Sequence, residues 1–256
     1  MTQGKVVLVG AGPGDPELLT LKAVRAITSA DAVVYDQLVS CEILRLIPDG
    51  AMKINVGKRS GHHPVPQSEI NGLLVRLAAS GRNVVRLKGG DPFIFGRGHE
   101  EAVELARAGI AYEVVPGITA AQGCAASARL PLTHRGIANS VRYITGHCRA
   151  DAPLALDWQS LADPDTTLVI YMGLANIDEI ARELIAHGLP ADTPALVVCQ
   201  GTTPRESRVF TRLADLPQAA RAADFAGPVL FIVGRVTAIA AERSEHDACI
   251  ERSMVA

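Results

Sequence analysis

Residues 83–109 read NVVRLKGGDPFIFGRGHEEAVELARAG, a short apolar run followed by a glycine-rich segment and a helical pattern. The run NVVRL is typical of a buried strand, and HEEAVELARAG repeats its apolar residues near the 3.6-residue period of a helix. A strand followed by a helix is the unit from which parallel α/β sheets are built. The stretch therefore predicts an α/β fold, and its long connection marks a candidate ligand site.

The same alternation of strand and helix patterns occupies the first part of the chain. Up to Gly117, five apolar runs begin near residues 5, 31, 51, 83 and 110, with helical patterns between them. Buried parallel strands have this character because helices cover both faces of the sheet. We expect an N-terminal α/β domain, 1–117, with a mostly parallel five-stranded sheet. In its third helix, Ser68 is the candidate N-cap and Gly81 the end.

The second half of the chain has a different pattern. After a segment of small, polar and turn residues, the strand candidates are SVRYITG, TTLVIYMG, PALVVCQ, RVFTRL and GPVLFIVG, with two helical patterns among them. RVFTRL follows PALVVCQ after a short Gly/Thr/Pro turn, which suggests an antiparallel pair. We expect a C-terminal α/β domain, 118–243, with a mixed sheet, and a polar tail, 244–256.

Composition excludes several classes of protein. The formal net charge of −2 gives no global basic field that would attract nucleic acid or a membrane surface. We expect no signal peptide, because the N-terminus lacks a cationic region followed by a long apolar stretch. We expect no membrane span, because no apolar run approaches about 20 residues. Five cysteines without a C-x-x-C pair indicate reduced thiols and no structural zinc site. We therefore predict a cytoplasmic protein that binds no metal, nucleic acid or membrane.

Cations are concentrated in two segments. Residues 53–99 contain eight Lys or Arg against two acids, and residues 129–150 contain four Arg and no acid. Such clusters are usually solvated faces. The alternative is a local site for a polyanionic ligand, and the sequence leaves both open.

The first glycine loop, GAGPGD at 10–15, follows the first strand and resembles a dinucleotide-binding G-x-G-x-x-G. Two details oppose that interpretation. Asp15 replaces the third glycine, and Pro13 removes a backbone N–H that a pyrophosphate would need. A structural tight turn, or a loop that contacts a ligand without holding phosphate, remains.

The second glycine loop, at 89–98, lies at the carboxyl end of its strand, where open α/β sheets bind ligands. Gly89 and Gly90 allow close approach of a ligand to the backbone. Asp91 can accept hydrogen bonds, and Ile94 lies between two phenylalanines that suit a flat ring. Arg97 can bind a carboxylate through two parallel hydrogen bonds.

Asp36 and Lys58 each follow a predicted strand at this same sheet edge. If the strands are neighbours, the pair is either a general acid and base or an ordinary salt bridge. Position alone favours the salt bridge. Further candidates are small residues at 119–120, Arg135 in an acid-free loop, and Met172 at a strand end, although a lone Met is more often core.

Eight segments in this order resemble the S-adenosylmethionine-dependent tetrapyrrole methyltransferase family: GAGPGD, VVYDQLVS, VGKRSGHH, VVRLKGGDPFIFGRG, PGITAA, PLTHRG, YMG and GTTPRE. The resemblance runs from about residue 4 to residue 243. The glycine loops are shared by several branches of the family. LKGGDPFIFGRG together with VGKR and PLTHR is most similar to the branch that methylates uroporphyrinogen III at C2 and C7.

The resemblance implies two α/β domains that hold S-adenosylmethionine in a cleft between them, usually in a homodimer. It implies that Asp36 and Lys58 act as proton acceptor and donor. The tetrapyrrole would contact Arg97, Glu100, Arg135 and Met172. The cofactor would contact Pro13, Gly89, Gly90, Asp91, Ile94, Thr119, Ala120, Met172 and Gly201. Rival interpretations are another corrinoid methyltransferase, a nicotinamide oxidoreductase and a tetrapyrrole carrier without catalysis.

Overall fold

The computed structural model of the chain describes residues 3–57, 65–147, 154–223 and 225–242. The chain divides into two compact units, Met1–Gly123 and Cys124–Ala256. Each unit contains one five-stranded sheet. This architecture confirms the expected α/β fold class, whereas the domain boundary near residue 117 stays a prediction.

The sheet of the first unit is entirely parallel, in the order β3-β2-β4-β1-β5. Its strands are β1 Val6–Gly10, β2 Ala32–Tyr35, β3 Met52–Asn55, β4 Val84–Lys88 and β5 Tyr112–Val115. Its helices are α1 Leu21–Thr28, α2 Cys41–Leu44, α3 Gln67–Ala79 and α4 Gly98–Arg107, with a 3₁₀ turn at Pro16–Leu18. The helix α5, Ala120–Ser127, follows β5.

Apolar side chains cover both faces of this sheet. On one face, Leu8 packs with Leu74 of α3 and Leu105 of α4. On the other, Val9 packs with Ile27 of α1 and other buried apolar residues. Because successive strand residues point to opposite faces, the apolar runs of the central strands supply both cores. The edge strand β3 is largely exposed, so it departs from the buried strands that we expected.

The beginning of α3 corrects one prediction. Pro66, not Ser68, occupies the N-cap position, and it makes no capping hydrogen bond through its side chain. The φ of −58° at Pro66 is compatible with the helix start, and proline has no N–H to leave unpaired there. The predicted end is confirmed, because Gly81 follows the helix with a left-handed φ of 88°.

The second unit has a mixed sheet in the order β6-β7-β10-β8-β9. Its strands are β6 Ser140–Thr145, β7 Thr166–Tyr171, β8 Pro194–Cys199, β9 Ser207–Arg212 and β10 Val229–Val233. Strands β6 and β7 are parallel, whereas β10 is antiparallel to both of its neighbours. Strands β8 and β9 form the antiparallel pair predicted from the sequence.

Helices cover the core of the second unit. They are α6 Trp158–Leu161, α7 Ile177–Ala186 and α8 Leu216–Ala222, with 3₁₀ turns at Leu174–Asn176 and Leu213–Asp215 and a helical segment at 236–242. Ile180 and Leu184 of α7 are fully buried with Phe231 of β10. In the described part of the chain, no helix is long and apolar enough to cross a bilayer.

Candidate active site

The carboxyl edge of the parallel sheet brings together the loops that follow β1, β2, β4 and β5. The loops that follow β1 and β4 are joined to each other by backbone hydrogen bonds. Gly12 donates its N–H to Gly90 O at 3.1 Å, and Gly90 donates to Gly12 O at 2.7 Å. Ala11 donates to Lys88 O at 2.7 Å. Because these N–H groups bond the neighbouring loop, they are not a preformed phosphate cradle, and Asp15 caps the following turn by accepting from Glu17 N–H.

Glycine is required where three backbone segments meet. A Cβ on Gly10 would lie 2.5 Å from Gly117 N and 2.7 Å from Gly90 O. A Cβ on Gly117 would lie 2.3 Å from Gly90 O. Backbone atoms cannot move aside as a flexible side chain can. The glycines therefore allow the loops after β1, β4 and β5 to touch, which explains why the sequence carries so many of them here.

Asp91 joins the long loop to the turn after β5. Its Oδ2 accepts from Gly117 N–H at 3.0 Å, and its Oδ1 accepts from Phe93 N–H at 2.8 Å. Carboxylate oxygens have several lone pairs, so both retain capacity for a ligand. Asp91 thus shapes the loop in addition to being a candidate ligand contact. Thr119, at the end of the same turn, is buried just before α5.

Arg97 already holds a carboxylate through two bonds. Its Nε and Nη2 donate to the two oxygens of Glu100, each at 2.7 Å, on the exposed surface of α4. These bonds raise the pKa of Arg97. Arg97 has a left-handed φ of 59°, as does Phe95 at 52°. Ile94 and its two phenylalanine neighbours expose apolar surface on this loop.

Asp36 pairs with an arginine of the neighbouring strand. Its Oδ2 lies 3.4 Å from Arg86 Nη2, and its Oδ1 accepts from Leu38 N–H at 3.2 Å. Position alone had favoured a salt bridge with Lys58, a residue that lies outside the described part of the chain. The described partner of Asp36 is therefore a cation that the sequence had not singled out for this role.

A buried charge cluster lies behind Asp36. Glu101 is 0% exposed, and its Oε1 accepts from Arg86 Nε at 3.0 Å and from Lys88 Nζ at 3.2 Å. Gln67 Nε2 donates to the same oxygen at 3.2 Å. Burial, and then the charge of Arg86, lower the pKa of Lys88.

The buried cluster reduces the number of cations that residues 53–99 can offer to a polyanionic ligand. Arg86 and Lys88 are 3% and 4% exposed, so neither belongs to the basic surface that residues 53–99 suggested. Arg142, from the second basic segment, donates to Ser160 O at 2.6 Å and is likewise committed within the protein. Two charged residues within the apolar strand VVRLK were the signal that could have revealed the buried cluster.

In the second unit, Arg135 lies on a tight hairpin. His134 and Ala138 exchange two backbone hydrogen bonds of 3.0 Å, and Arg135 is exposed at the tip. Arg235 supports the hairpin by donating to Ile137 O at 2.6 Å.

Met172 is 50% exposed and has a left-handed φ of 53°. It is therefore not a core residue, although a lone methionine at a strand end is more often one.

Gly201 follows β8 in a turn with little free space. A Cβ there would lie 2.2 Å from the Sγ of Cys124 on α5. Burial, and then the charge of Glu206, raise the pKa of Cys124 to about 12. This thiol is therefore protonated near neutral pH. Among the described residues, no three His, Cys, Asp or Glu side chains form a group that could hold a metal ion.

Comparison with known proteins decides the family. The model of the tetrapyrrole (corrin/porphyrin) methylases matches residues 5–217. The chain belongs to this family. It is 60% identical to the uroporphyrinogen-III C-methyltransferase of Paracoccus denitrificans (strain Pd 1222), over 93% of this chain and 83% of that protein.

Two further relatives of this tetrapyrrole methylase agree with the family assignment. It is 53% identical to the siroheme synthase of Azotobacter vinelandii over 91% of its own residues, but it spans only 50% of that protein's length. It also superposes on a uroporphyrin-III C-methyl transferase from Thermus thermophilus, crystallised with S-adenyl homocysteine, with a TM-score of 0.79. The two are 42% identical, and the match covers 92% of this chain and 100% of the other.

Proposed function

We propose that this chain transfers methyl groups from S-adenosylmethionine to C2 and C7 of uroporphyrinogen III, giving precorrin-2 and S-adenosylhomocysteine. The observation that carries the proposal is the 60% identity to a uroporphyrinogen-III C-methyltransferase across 93% of the chain. The S-adenyl homocysteine bound to the Thermus protein supports S-adenosylmethionine as the methyl donor. The product enters sirohaem, haem d1 or cobalamin biosynthesis.

The cofactor contacts that we propose begin with the second glycine loop. Gly89 and Gly90 present backbone without a Cβ, and Gly90 has a left-handed φ of 67°. Asp91 is held in place by backbone N–H groups, which orients its remaining lone pairs. The full proposed set is Pro13, Gly89, Gly90, Asp91, Ile94, Thr119, Ala120, Met172 and Gly201.

For the tetrapyrrole we propose contacts with Arg97, Glu100, Arg135 and Met172. A guanidinium carries five N–H donors, and two of those of Arg97 bond Glu100, so others can bind a propionate. Arg135 is exposed at a hairpin tip, where a second carboxylate can reach it. The exposed thioether of Met172 adds apolar contact with the macrocycle.

The sulfonium of S-adenosylmethionine already activates the methyl group, so the transfer needs no covalent enzyme intermediate. A pyrrole carbon forms the new C–CH₃ bond as the S–CH₃ bond breaks, and a proton then leaves the macrocycle. Holding the two reactants in line supplies much of the acceleration. We propose Asp36, beside Arg86, as the proton acceptor. Lys58 is proposed as the donor.

We also propose that the protein is a cytoplasmic homodimer whose ligands are small molecules, without a nucleic-acid or membrane partner. Size-exclusion chromatography with light scattering measures the mass of the assembly in solution. The expected mass is twice the 27.0 kDa of one chain. A single-chain mass at working concentration would contradict the dimer without affecting the proposed chemistry.

The decisive experiment is to incubate the protein anaerobically with S-adenosylmethionine and uroporphyrinogen III and to measure the mass of the product. We expect a gain of two methyl groups and release of two S-adenosylhomocysteines per macrocycle. Methylation of a later corrinoid intermediate, with none of uroporphyrinogen III, would instead assign the chain to another branch of the family. Absence of methylation with every tetrapyrrole, despite nucleotide binding, would favour a carrier.

Three variants test the proposed roles. Arg97→Ala and Arg135→Ala should raise the KM for the tetrapyrrole about tenfold or more, because each removes a charged hydrogen bond. Their affinity for S-adenosylhomocysteine, measured by calorimetry, should stay within about twofold of the parent.

Asp36→Asn should lower kcat more than it changes the binding constant of either the cofactor or the tetrapyrrole. Parent-like turnover of Asp36→Asn would remove that residue from proton transfer.

A further inference from the structure

The turn that carries Gly201 is held in an unfavourable backbone conformation. Gln200 and Thr202, on either side of Gly201, have left-handed φ angles of 49° and 64°. Such angles are uncommon for residues with a Cβ and are least favourable for a β-branched residue such as Thr202. The surrounding structure must therefore stabilise this turn.

One side of the turn is anchored to the neighbouring strand region. Gln200 donates its N–H to Pro228 O at 2.9 Å, and its side-chain Nε2 donates to Ala226 O at 3.0 Å. Thr203 Oγ1 donates to Gln200 O at 2.7 Å. The first two bonds determine the position of Gln200, and the third closes the turn across Gly201.

The other side of the turn is anchored by Glu206. Its Oε2 accepts from the backbone N–H of Thr202 and from the hydroxyl of Ser127 on α5, the latter at 2.8 Å. Its Oε1 accepts from Arg208 Nε. The Glu206 side chain is only 9% exposed.

This arrangement secures the carboxylate itself. Arg208 donates its Nη2 to both the carbonyl and the hydroxyl of Ser127, each at 2.7 Å. Glu206, Arg208 and Ser127 thus form a closed network between α5 and β9. A nearly buried carboxylate with an arginine partner and fixed donors has little freedom to move, so it can hold Thr202 N–H in one orientation.

We infer that Glu206 is a positioning residue for S-adenosylmethionine. It holds Thr202 in the left-handed conformation and thereby keeps the Gly201 backbone in the arrangement that meets the cofactor. The inference rests on the proposed function, in which Gly201 contacts the nucleotide. Glu206 itself does not need to touch the cofactor. The predicted defect is therefore one of cofactor affinity, with the chemistry preserved.

Calorimetry with S-adenosylhomocysteine, together with steady-state kinetics, tests this role. Glu206→Ala should weaken nucleotide binding about tenfold or more and raise the KM for S-adenosylmethionine in parallel. At saturating cofactor, kcat should stay within about threefold and the KM for uroporphyrinogen III within about twofold. A purely structural role would lower the melting temperature without this split between KM and kcat.

Two more variants keep the test decisive. Glu206→Asp retains the charge for Arg208 but withdraws the carboxylate from Thr202, so it should fold and still bind nucleotide about fivefold more weakly. Adding Thr202→Gly to Glu206→Ala should restore part of the affinity, because glycine adopts a left-handed φ without steric cost. Asp178→Ala, which breaks the exposed pair with Arg221, is the matched control and should bind as the parent does.

The outcomes separate the two proposals. If the parent does not bind S-adenosylhomocysteine, the proposed function fails and this inference fails with it. If the parent binds S-adenosylhomocysteine, and folded Glu206→Ala and Glu206→Asp bind it as tightly as the parent does, only the role of Glu206 is overturned. Should Glu206→Ala fail to fold, parent-like affinity of Glu206→Asp alone overturns it.

Discussion

At the scale of single residues, Glu101 is expected to be important for stability. Its carboxylate is fully buried, and both Arg86 and Lys88 donate to the same oxygen. Removing one member of a buried ion pair leaves its partners charged and desolvated, which costs more than the pair contributes when intact. Glu100, the next residue along α4, makes its pair with Arg97 on the exposed surface.

Glu101→Gln should lower the free energy of unfolding by about 3–5 kcal/mol, because two buried cations lose the buried carboxylate that both of them contact. Urea unfolding at neutral pH measures the change. Glu100→Gln is the adjacent control and should change stability by less than about 1 kcal/mol, as exposed pairs do. Equal losses in the two variants would contradict the importance of burial here.

Cys124 should make stability fall at alkaline pH. Burial, followed by the charge of Glu206, raises its pKa from an ordinary 9.0 to about 12, so the folded thiol keeps its proton where the unfolded one releases it. The contribution is therefore complete below pH 9.0 and is lost as pH rises toward about 12. Between about pH 8 and about pH 10 the parent should lose about 1.4 kcal/mol through this group.

Urea unfolding of the parent and of Cys124→Ala at these two pH values tests the effect. The variant is expected to be less stable overall, because the side chain is 3% exposed and its removal leaves a gap. Its stability should nonetheless change less with pH than that of the parent. Parallel pH profiles for the two proteins would exclude the assigned cause.

At the scale of elements, three loops of the first unit come together because glycine lets their backbones touch. Gly10 ends β1, and Gly90 and Gly117 lie in the segments that follow β4 and β5. The local pattern predicted most strands and helices because each satisfies a period of its own. The short helix α6 and the segment 236–242 were not predicted. A single turn of helix, as in α6, is too short to show a period.

Gly10→Ala should separate these loops. Its Cβ would lie within 2.7 Å of backbone atoms of Gly117 and Gly90, so the change should cost about 1–3 kcal/mol of stability. We also expect weaker binding of S-adenosylhomocysteine, because the loops carrying the proposed contacts must shift. Gly50→Ala, with no atom within 4 Å of its new Cβ, is the control and should stay within about 0.5 kcal/mol. Similar behaviour of the two variants would refute the packing argument.

At the scale of the whole molecule, neither net charge nor composition identifies a ligand. The formal charge is −2, and several cations of the two basic segments are buried or bonded within the protein. Arg97 and Arg135, which we propose as contacts of the tetrapyrrole, are two of the arginines that stay exposed. Ligand specificity must therefore come from particular side chains rather than from a general electrostatic field.

S-adenosylhomocysteine should stabilise the protein, because a ligand that binds only the folded state shifts the unfolding equilibrium. At one hundred times its Kd the expected gain is about 2.7 kcal/mol. For a chain of this size that corresponds to a rise in Tm of about 2–4 °C per kcal/mol. Thermal unfolding with S-adenosylhomocysteine, NAD and NADP measures it. A rise with NAD instead would revive the dinucleotide interpretation of the first glycine loop.

The sequence by itself determined most of the elements and the family, because apolar periodicity, glycine positions and ordered motifs are local properties that need no coordinates. Only the tertiary structure decided which charges are exposed and which pair. Arg86 meets Glu101, 15 residues away, and Asp36, 50 residues away, on other elements. The fold likewise imposes the left-handed backbone at Thr202 and supplies the carboxylate that stabilises it. Such pairings depend on distances that only the packed sheets establish, so a local pattern can indicate a buried charge but not its partner.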